Sequence, residues 1–202
     1  MRVISGKYKG INLDGFNIEG TRPTMDRVKE SMFAMIQGSI KNSICLDLFA
    51  GSGSLGIEAL SNGAKYCYFI DNSNDIYKIL KTNLAKIKDN NYKIIFKNYK
   101  QFLKDCVDIK LKFDIIFLDP PYKLNLINDI LKYIYENKLL SQDGIIVCEY
   151  ESEVLSDNNF SLIKHKKYGS KLINIYKWWL ISFFWLEIIN QNSGRFYHFF
   201  LL

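Results

Sequence analysis

The sequence predicts an α/β fold, with a sheet of mostly parallel strands covered by helices on both faces. Short apolar runs alternate with segments of helical periodicity along most of the 202 residues. The runs are mainly apolar, which is typical of parallel strands buried on both faces. Asp47, Asp71 and Asp119 stand at the ends of three runs, where open α/β sheets bind ligands.

The elements follow one another in a regular order. Apolar runs predict strands at 44–49, 66–70, 92–96, 113–118 and 144–149, and two more at about 161–167 and 172–176. Helical spacing predicts helices at 25–37, 55–60, 74–88, 99–105 and 124–137, with Gly38 ending the first of them. Because the last two strands have little helix between them, we expect an antiparallel hairpin at one edge of a seven-stranded sheet.

The chain divides into three segments. We expect residues 1–40 to form a small β-hairpin arm and a helix, 41–176 to form the sheet domain, and 177–202 to form an atypical extension that holds all three Trp. The apolar run 178–189 is too short to cross a bilayer and contains Glu187. The extension either packs on the sheet edge, lies on a membrane surface, mediates a dimer or is unselected sequence beyond a shifted stop codon, which we favour.

The composition is basic, with a formal net charge of +6 and a pI of about 9.0. This charge favours nucleic acid as a partner over a merely solvated lysine-rich surface. The chain holds 23 Lys and four Arg, and Arg2, Arg22 and Arg27 all lie near its start. Guanidinium groups bind phosphate bidentately, so these three residues are candidates for phosphate contacts.

Cysteine and histidine usage indicates neither disulfides nor a metal site. Cys45, Cys67 and Cys148 lie in apolar runs, and no CxxC pair is present. The two His residues do not have the spacing of zinc ligands. Since the first residues also lack an apolar signal segment, we expect a reduced cytoplasmic protein, monomeric, without metal and without stable membrane association.

The first chemical motif is the loop Phe49-Ala50-Gly51-Ser52-Gly53, which follows the first strand. Its glycines allow a tight turn and a close approach of ligand to backbone at a helix start. The spacing of Gly51, Gly53 and Gly56 matches a dinucleotide fingerprint, but Asp47 would repel a pyrophosphate. A cationic sulfonium with an amino-acid moiety is compatible with Asp47. A plain strand–helix turn is the alternative.

Asp71 ends the second strand, 20 residues after Gly51. A carboxylate at this position accepts hydrogen bonds from ribose hydroxyls in dinucleotide-binding folds. Asp71, Ser73 or Asn74 could instead cap the following helix, and both roles are compatible.

The second chemical motif is Asp119-Pro120-Pro121-Tyr122, after the fourth strand, which holds two of the three prolines of the chain. The prolines end the strand and build a rigid loop. Asp119 and the Pro120 carbonyl are suited to accept both N–H bonds of an exocyclic amino group, and Tyr122 to stack on the base. Holding that nitrogen in line with an S–CH₃ bond lowers the barrier to methyl transfer. A proline-rich turn without a function is the alternative.

The N-terminal basic residues are candidates for binding RNA phosphates. Arg22 and Arg27 flank a helix start beside the block Arg22-Pro23-Thr24, and Arg2, Lys7 and Lys9 lie in the arm. A surface helix with charge pairs between Asp26 and its neighbours is the alternative.

Residues 1 to about 176 resemble the RsmD family of bacterial rRNA guanine-N2 methyltransferases. The resemblance rests on the opening residues 2–10, the block 22–28, residues 46–53, Asn83-Leu84, residues 119–122 and the strand containing Glu149. The glycine and Asp-Pro-Pro-Tyr motifs are shared by many amino-methyltransferases. The opening and the 22–28 block are specific to this family.

The resemblance implies a Rossmann-like, seven-stranded class I methyltransferase fold that uses S-adenosylmethionine. It implies as target a guanine in a hairpin loop of 16S rRNA, in a 30S subunit or assembly intermediate. Asn98 falls where the family contacts adenine. We expect cofactor contacts from Asp47, Phe49, Ala50, Gly51, Ser52, Gly53, Asp71, Asn72, Asn98 and Tyr99, and catalysis at Asp119, Pro120, Pro121 and Tyr122.

Two other functions remain open at this point. One is an amino-methyltransferase of a DNA base or a protein glutamine, although the chain lacks an obvious target-recognition domain. The other is a non-catalytic rRNA-binding assembly factor.

Overall fold

A computed structural model describes residues 1–15, 22–120, 126–150 and 159–178. Its strands are β1 (Ile44–Asp47), β2 (Tyr66–Asp71), β3 (Tyr92–Phe96), β4 (Phe113–Leu118), β5 (Leu140–Tyr150), β6 (Phe160–Tyr168) and β7 (Lys171–Trp178). They form one sheet in the order β3-β2-β1-β4-β5-β7-β6. β1 to β5 are parallel, and β7 and β6 are antiparallel. The predicted Rossmann-like fold with an antiparallel edge hairpin is therefore confirmed.

Five helices lie on the two faces of the sheet: α1 (Arg22–Ile40), α2 (Ser54–Ser61), α3 (Asn74–Ile87), α4 (Tyr99–Asp108) and α5 (Ile127–Glu136). The first three share one apolar core with one face of the sheet, and α4 and α5 share a second core with the other face. None of the described helices has the length and apolar character that a membrane span requires. Because both faces are covered, the central strands consist mainly of apolar residues before their carboxyl ends, with Asp114 of β4 as an exception that accepts a hydrogen bond from the N–H of Ile44.

The carboxyl ends of the parallel strands meet at one edge of the sheet, which we call the carboxyl edge. β1 lies between β2 and β4, so the strand order reverses at β1. Asp47 at the end of β1 is paired with Phe117 of β4, two residues before Asp119. Ligands of open α/β sheets bind at such a switch point, and both chemical motifs follow strands that border it.

The N-terminal segment forms the predicted β-hairpin in a short form. An antiparallel bridge joins Arg2 to Asn12, the N–H groups of Val3 and Leu13 donate to the carbonyls of Ile11 and Met1 at 2.9 Å, and a 3-10 turn covers Gly6–Tyr8. The ladder stays short because Glu58 of α2 accepts the backbone N–H groups of Ile4 and Ser5. The side chains of Val3 and Leu13 are buried in the first core, so the segment packs on the domain.

Some helix and strand ends also differ from the prediction. α1 continues past Gly38 because Ile40 is buried in the first core and favours one more half-turn. β5 begins at Leu140, four residues earlier than predicted, where the ladder with Phe113 starts. β7 extends through Lys177 and Trp178, so the predicted boundary at 176 lies within a strand. The rest of the predicted extension, 179–202, lies outside the described residues.

Candidate active site

The glycine loop makes a tight turn between β1 and α2. Gly51 and Gly53 have φ angles of +52° and +80°, which side-chain-bearing residues rarely adopt. The N–H of Gly53 donates to the Ala50 carbonyl at 2.7 Å. A Cβ on Gly53 would approach Leu80 Cδ1 to 2.5 Å, whereas one on Gly51 would meet only the Phe49 carbonyl, at 3.9 Å. The loop is therefore packed against α3 on one side and open on the other.

Asp47 is buried beneath this loop, with 2% of its surface exposed. Its Oδ2 accepts a hydrogen bond from the backbone N–H of Gly56 at 3.0 Å. Burial raises the pKa of Asp47 to about 7, and the nearby carboxylate of Asp71 adds to the increase. A buried carboxylate that receives a single backbone hydrogen bond is suited to a cationic ligand, as the sequence predicted.

Asp71 joins the glycine loop to the start of α3. Its Oδ2 accepts from the N–H of Gly51 at 3.2 Å, and its Oδ1 from the N–H of Ser73 at 3.0 Å. Ser73 is the N-cap residue, but its own side chain makes no capping hydrogen bond. Asp71 therefore satisfies a backbone donor at this helix start, and the next residue, Asn72, is exposed.

Asn98 and Tyr99 lie at the carboxyl edge after β3. The Asn98 Oδ1 accepts from the N–H of Lys100 at 2.9 Å and caps α4. The Tyr99 ring lies 5.2 Å from that of Phe49, centroid to centroid, at an interplanar angle of 49°. These rings form an aromatic surface beside the glycine loop, which suits a flat heterocycle.

Asp119 follows β4 with a partly buried side chain, and Pro120 is buried. The β4–β5 register pairs Leu118 with Cys148, which brings Asp119 beside Glu149. Pro121 and Tyr122, the other predicted catalytic residues, lie outside the described residues.

Four charged side chains stand in a row across the carboxyl edge: Asp47, Asp119, Glu149 and Lys171, on or after β1, β4, β5 and β7. Side chains alternate between the two faces along a strand, and all four of these positions are in step with the core residues that face α1. The four side chains therefore lie on the same face of the sheet. Lys171 forms an ion pair with Glu149, which is 7% exposed. The sequence did not predict roles for Glu149 or Lys171, because only the strand register reveals that they neighbour Asp119.

This row controls the protonation of Asp119. Burial raises the pKa of Asp119 to about 8, and the carboxylates of Glu149 and then Asp47 contribute to the increase. The ammonium group of Lys171 opposes it. A carboxyl group that titrates near neutral pH is suited both to accept hydrogen bonds from an amine and to take up its proton.

A buried ion pair joins the N-terminal segment to the glycine-loop helix. The Nζ of Lys29 lies 3.0 Å from Glu58 Oε2 and donates to the Arg2 carbonyl at 2.7 Å and to Ser54 Oγ at 3.0 Å. Lys29 is 5% exposed and Glu58 is fully buried. The pair thus connects α1, α2 and the N-terminal segment behind the loop.

Asn83 of α3 forms a second connection to the same loop. Its Nδ2 donates to the carbonyls of Asp14 and Ser52 at 2.8 and 2.9 Å, and its Oδ1 accepts from the N–H of Asp14 at 2.7 Å. Asn83 stood in one of the family motifs, but the sequence gave no sign of its partners.

The predicted RNA-binding residues fall into two groups. Arg2 forms an ion pair with Asp26 near the start of α1, and Arg27 is exposed one residue later. α1 begins at the carboxyl edge because its other end leads directly into β1. The backbones of Arg22 and Thr24 belong to its first turn, and their side chains lie outside the described part of the chain.

Lys7 and Lys9 lie near the amino ends of the parallel strands, opposite the carboxyl edge. Lys7 forms an ion pair with Asp89, at 2.8 Å, and the N–H of Tyr8 donates to Ser61 Oγ. Ser61 ends α2 and Asp89 follows α3, and both helices run away from the carboxyl edge. The structure therefore does not bring Lys7 and Lys9 close to Asp119.

The cysteines show no features of a nucleophile or a ligand. All four are free and buried, and burial raises the pKa of the Cys45 and Cys106 thiols to about 12. Among the described residues, no group of His, Cys, Asp and Glu is arranged to hold a metal ion.

Known proteins share this sequence and fold. A family model described as Conserved hypothetical protein 95 matches residues 1–177. A Bacillus subtilis protein named putative rRNA methyltransferase YlbH is 40% identical, covering 88% of this chain and 98% of the relative. Ribosomal RNA small subunit methyltransferase D of Haemophilus influenzae is 37% identical, covering 88% of this chain and 93% of the relative. The chain belongs to the RsmD family.

Solved structures agree with this RsmD-family assignment. An Escherichia coli structure described as putative methyltransferase yhhF has a TM-score of 0.76 and 31% identity, over 88% of this chain and 97% of that one. The class I methyltransferase fold is thereby confirmed.

The described residues fit S-adenosylmethionine as cofactor of this RsmD-family chain. The open side of Gly51 leaves space at a helix start, and the buried carboxylate of Asp47 is complementary to a positively charged ligand. Asp71 supplies acceptors for hydroxyl groups, and the Phe49–Tyr99 rings supply an apolar surface. The residues that could hold the cofactor therefore border the space between the glycine loop, Asp71 and Tyr99.

Proposed function

We propose that this chain transfers a methyl group from S-adenosylmethionine to the exocyclic N2 of a guanine in 16S rRNA, within a 30S subunit or an assembly intermediate. One observation carries the proposal: Asp119 and Pro120 follow β4 directly beside Asp47 and the glycine loop. An amino group held by Asp119 would thus lie next to the methyl donor. The relatives named Ribosomal RNA small subunit methyltransferase D support rRNA as the substrate, and the family resemblance implies a guanine of the 966 type.

The chemistry follows from how the target amine is held. S-adenosylmethionine supplies an electrophilic methyl group on a positively charged sulfur. The exocyclic amine of guanine is a poor nucleophile, because its lone pair is delocalised into the ring. Hydrogen bonds to the Asp119 carboxylate and the Pro120 carbonyl would hold both N–H groups and leave the lone pair directed at the methyl carbon.

Asp119 has a second role as the reaction proceeds. As the amine takes up the methyl group from the donor, positive charge would develop on its nitrogen. The negative charge of Asp119 stabilises that charge, and its carboxylate accepts the proton that the nitrogen then loses. We propose that Pro121 keeps the loop rigid and that Tyr122 stacks on the guanine.

The N-terminal residues would position the RNA. Arg2, Arg22, Thr24 and Arg27 belong to the beginning of α1 or its surroundings, and we propose them as phosphate contacts close to the target base. Lys7 and Lys9 would reach RNA only near the amino ends of the parallel strands, so we propose that they contribute less to RNA binding.

A substrate panel tests the proposal against its alternatives. The purified chain is incubated with labelled S-adenosylmethionine and either 30S subunits from a strain that lacks the enzyme, duplex DNA, or a release factor. We expect label in the 30S subunits alone, recovered as N2-methylguanine after digestion. Labelled methyladenine, or label only in DNA or protein, would contradict the proposal. A chain that binds 30S subunits without labelling them would support an assembly factor instead.

A further inference from the structure

The turn between β6 and β7 lies at the carboxyl edge, close to the predicted catalytic residues. β7 is antiparallel to β5, and its first pairs join Leu172 to Tyr150 and Ile173 to Glu149. The turn at Gly169–Ser170 therefore lies beyond the end of β5. The last residues of β6 reach the same edge of the sheet as Asp119.

This hairpin is positively charged. The segment Phe160–Trp178 contains five Lys and no Asp or Glu. Lys164, Lys166 and Lys167 are exposed on β6, the edge strand of the sheet. A lysine run is usually a solvated surface, so its partners and position decide whether it binds a ligand.

Two lysines of β6, Lys164 and Lys166, donate hydrogen bonds to neutral groups of α1. The Nζ of Lys166 donates to Ser31 Oγ at 3.0 Å and lies 5.3 Å from the centre of the Tyr168 ring. The Nζ of Lys164 donates to the Met35 carbonyl. No ion pair within the described ranges involves Lys164, Lys166 or Lys167. Neutral partners hold the ammonium groups of Lys164 and Lys166 in place, and neither group is paired with a carboxylate in that part of the chain.

Helix α1 continues this positive surface. Ser31 and Met35 lie on successive turns of α1, and Arg27 lies one turn before Ser31 on the same side of the helix. Arg27 is exposed and closer to the carboxyl edge. Lys164 and Lys166 pair with Ile175 and Ile173 of the core that faces α1, whereas Lys167 pairs with Leu172 and lies on the other face of the sheet. We call Arg27, Lys164 and Lys166 the basic strip.

We propose that the basic strip binds the phosphate backbone of the RNA that carries the target base. The inference rests on the proposed function and extends it to the surface beside β6 and β7, at the end of the sheet opposite β3. Fixed positive charges beside a catalytic site orient a polyanion and raise its affinity without reading its sequence. The basic strip would thus attract RNA phosphates close to Asp119. Lys7 and Lys9, near the amino ends of the strands, are too far away to do so.

The strand also presents exposed apolar side chains, since Leu162 and Ile163 are 51% and 43% exposed. Such residues on an edge strand are also found where a protein partner binds. The net charge and the position beside the active site favour RNA over a protein. An experiment on the lysines distinguishes the two, because phosphate contacts make binding depend steeply on salt.

The test compares two double variants with the same loss of charge. The first carries Lys164→Gln and Lys166→Gln. The control carries Lys81→Gln and Lys93→Gln, two exposed lysines on α3 and β3, on the side of the sheet away from β6. For each, the KM for hypomethylated 30S subunits, the kcat, and the binding of S-adenosylhomocysteine are measured at several salt concentrations.

We expect the strip variant to raise the KM for 30S subunits at least tenfold at low salt, with kcat and S-adenosylhomocysteine binding unchanged within threefold. Its log–log dependence of affinity on salt should be shallower by about 1.4, at roughly 0.7 for each lost contact with single-stranded RNA. The control should match the wild type within threefold.

Equal KM values and salt slopes for both variants would overturn the proposal while leaving the proposed function in place. A raised KM with an unchanged salt slope would overturn it in favour of a protein contact. A wild-type chain that neither binds nor methylates 30S subunits would refute the proposed function itself, and the inference with it.

Discussion

At the scale of single residues, the proposed methyl transfer depends most on Asp119. An Asp119→Asn variant keeps the size of the side chain but loses the negative charge and the ability to take up a proton. We expect kcat to fall at least about 100-fold, as for other removed groups that stabilise transition-state charge. Binding of S-adenosylhomocysteine, measured by calorimetry, should stay within threefold of wild type. A variant with unchanged kcat would remove Asp119 from the mechanism.

The charged row predicts how the rate depends on pH. Because Asp119 must be ionised to accept the amine and its pKa is raised to about 8, kcat should increase as the pH rises from 7 to 9. Glu149 raises this pKa and Lys171 lowers it, whereas Asp47 from β1 adds a smaller increase. The profile of Glu149→Gln should therefore move to lower pH, and that of Lys171→Met to higher pH, each by about one unit.

Rate profiles measured with saturating cofactor check this prediction. Shifts of the two variants in the same direction would indicate general disturbance of the site rather than charge. A profile that is flat from pH 6 to 9 in the wild type would mean that Asp119 does not titrate in the rate-limiting step.

Asp47 should show opposite effects on stability and on cofactor binding. Its pKa is raised from 3.8 to about 7, so the folded state binds more protons than the unfolded state between these values. The free energy of unfolding therefore falls as the pH rises through this window. Asp47→Asn should raise that free energy at pH 8 by up to about 4 kcal/mol, at about 1.4 kcal/mol for each of roughly 3 pH units, and flatten its pH dependence.

The same variant should bind S-adenosylhomocysteine at least tenfold more weakly, because it lacks the buried negative charge. Urea unfolding at pH 5 and pH 8, with calorimetry of the ligand, gives both quantities. Asp129→Asn, at an exposed site on α5, is the control. A destabilised Asp47→Asn variant would contradict our account of the cost of burying this carboxylate.

At the scale of elements, the N-terminal segment depends on the buried pair of Lys29 and Glu58. The carboxylate of Glu58 accepts from Lys29, Ser5 and the N–H of Ile4. Glu58→Gln removes the charge and leaves the ammonium of Lys29 buried without its counter-charge. Breaking such a pair costs about 3 to 5 kcal/mol.

Urea unfolding measures this loss, with Glu30→Gln on the exposed side of α1 as control. We expect the control to change stability by less than about 0.5 kcal/mol. A loss below about 1 kcal/mol for Glu58→Gln would show that the segment does not depend on this pair, and that its other contacts, such as the burial of Val3 and Leu13 and the Asn83–Asp14 hydrogen bonds, hold it.

The elements show what local pattern predicts and where it fails. Apolar runs such as that of β4 predicted the parallel strands, since burial on both faces leaves a clear signal in sequence. The predicted N-terminal hairpin forms with only a short ladder within residues 1–13, because Glu58, more than 50 residues away, takes the N–H groups of Ile4 and Ser5 that a longer ladder would need. Gly38 did not end α1, because packing of Ile40 outweighs the helix propensity of one residue.

At the scale of the whole molecule, the site is assembled by the order of the strands. Asp47 and Asp119 are 72 positions apart in sequence and come together because β1 and β4 are neighbours at the switch point. Motif residues could be predicted, since their loops follow recognisable strands. Glu149, Lys171 and the lysines of β6 could not, since only the register of β5, β6 and β7 places them at the carboxyl edge.

The same arrangement leaves the carboxyl edge with acidic groups at its centre and a basic surface at one side. Buried carboxylates suit a cationic donor and an amine, while exposed Arg and Lys suit the phosphates around the base. This separation of negative and positive groups explains how the carboxyl edge can bind both a positively charged cofactor and a polyanion.

The most direct test of the central claim is to locate the methyl group in 16S rRNA by mass spectrometry. Ribosomal RNA is compared between a strain without the gene, the same strain carrying the wild-type gene, and the same strain carrying the Asp119→Asn variant. We predict one N2-methylguanine that is absent from the first and third strains and restored in the second. The same methylation pattern in all three strains, or a restored methyl group on adenine, would contradict the account.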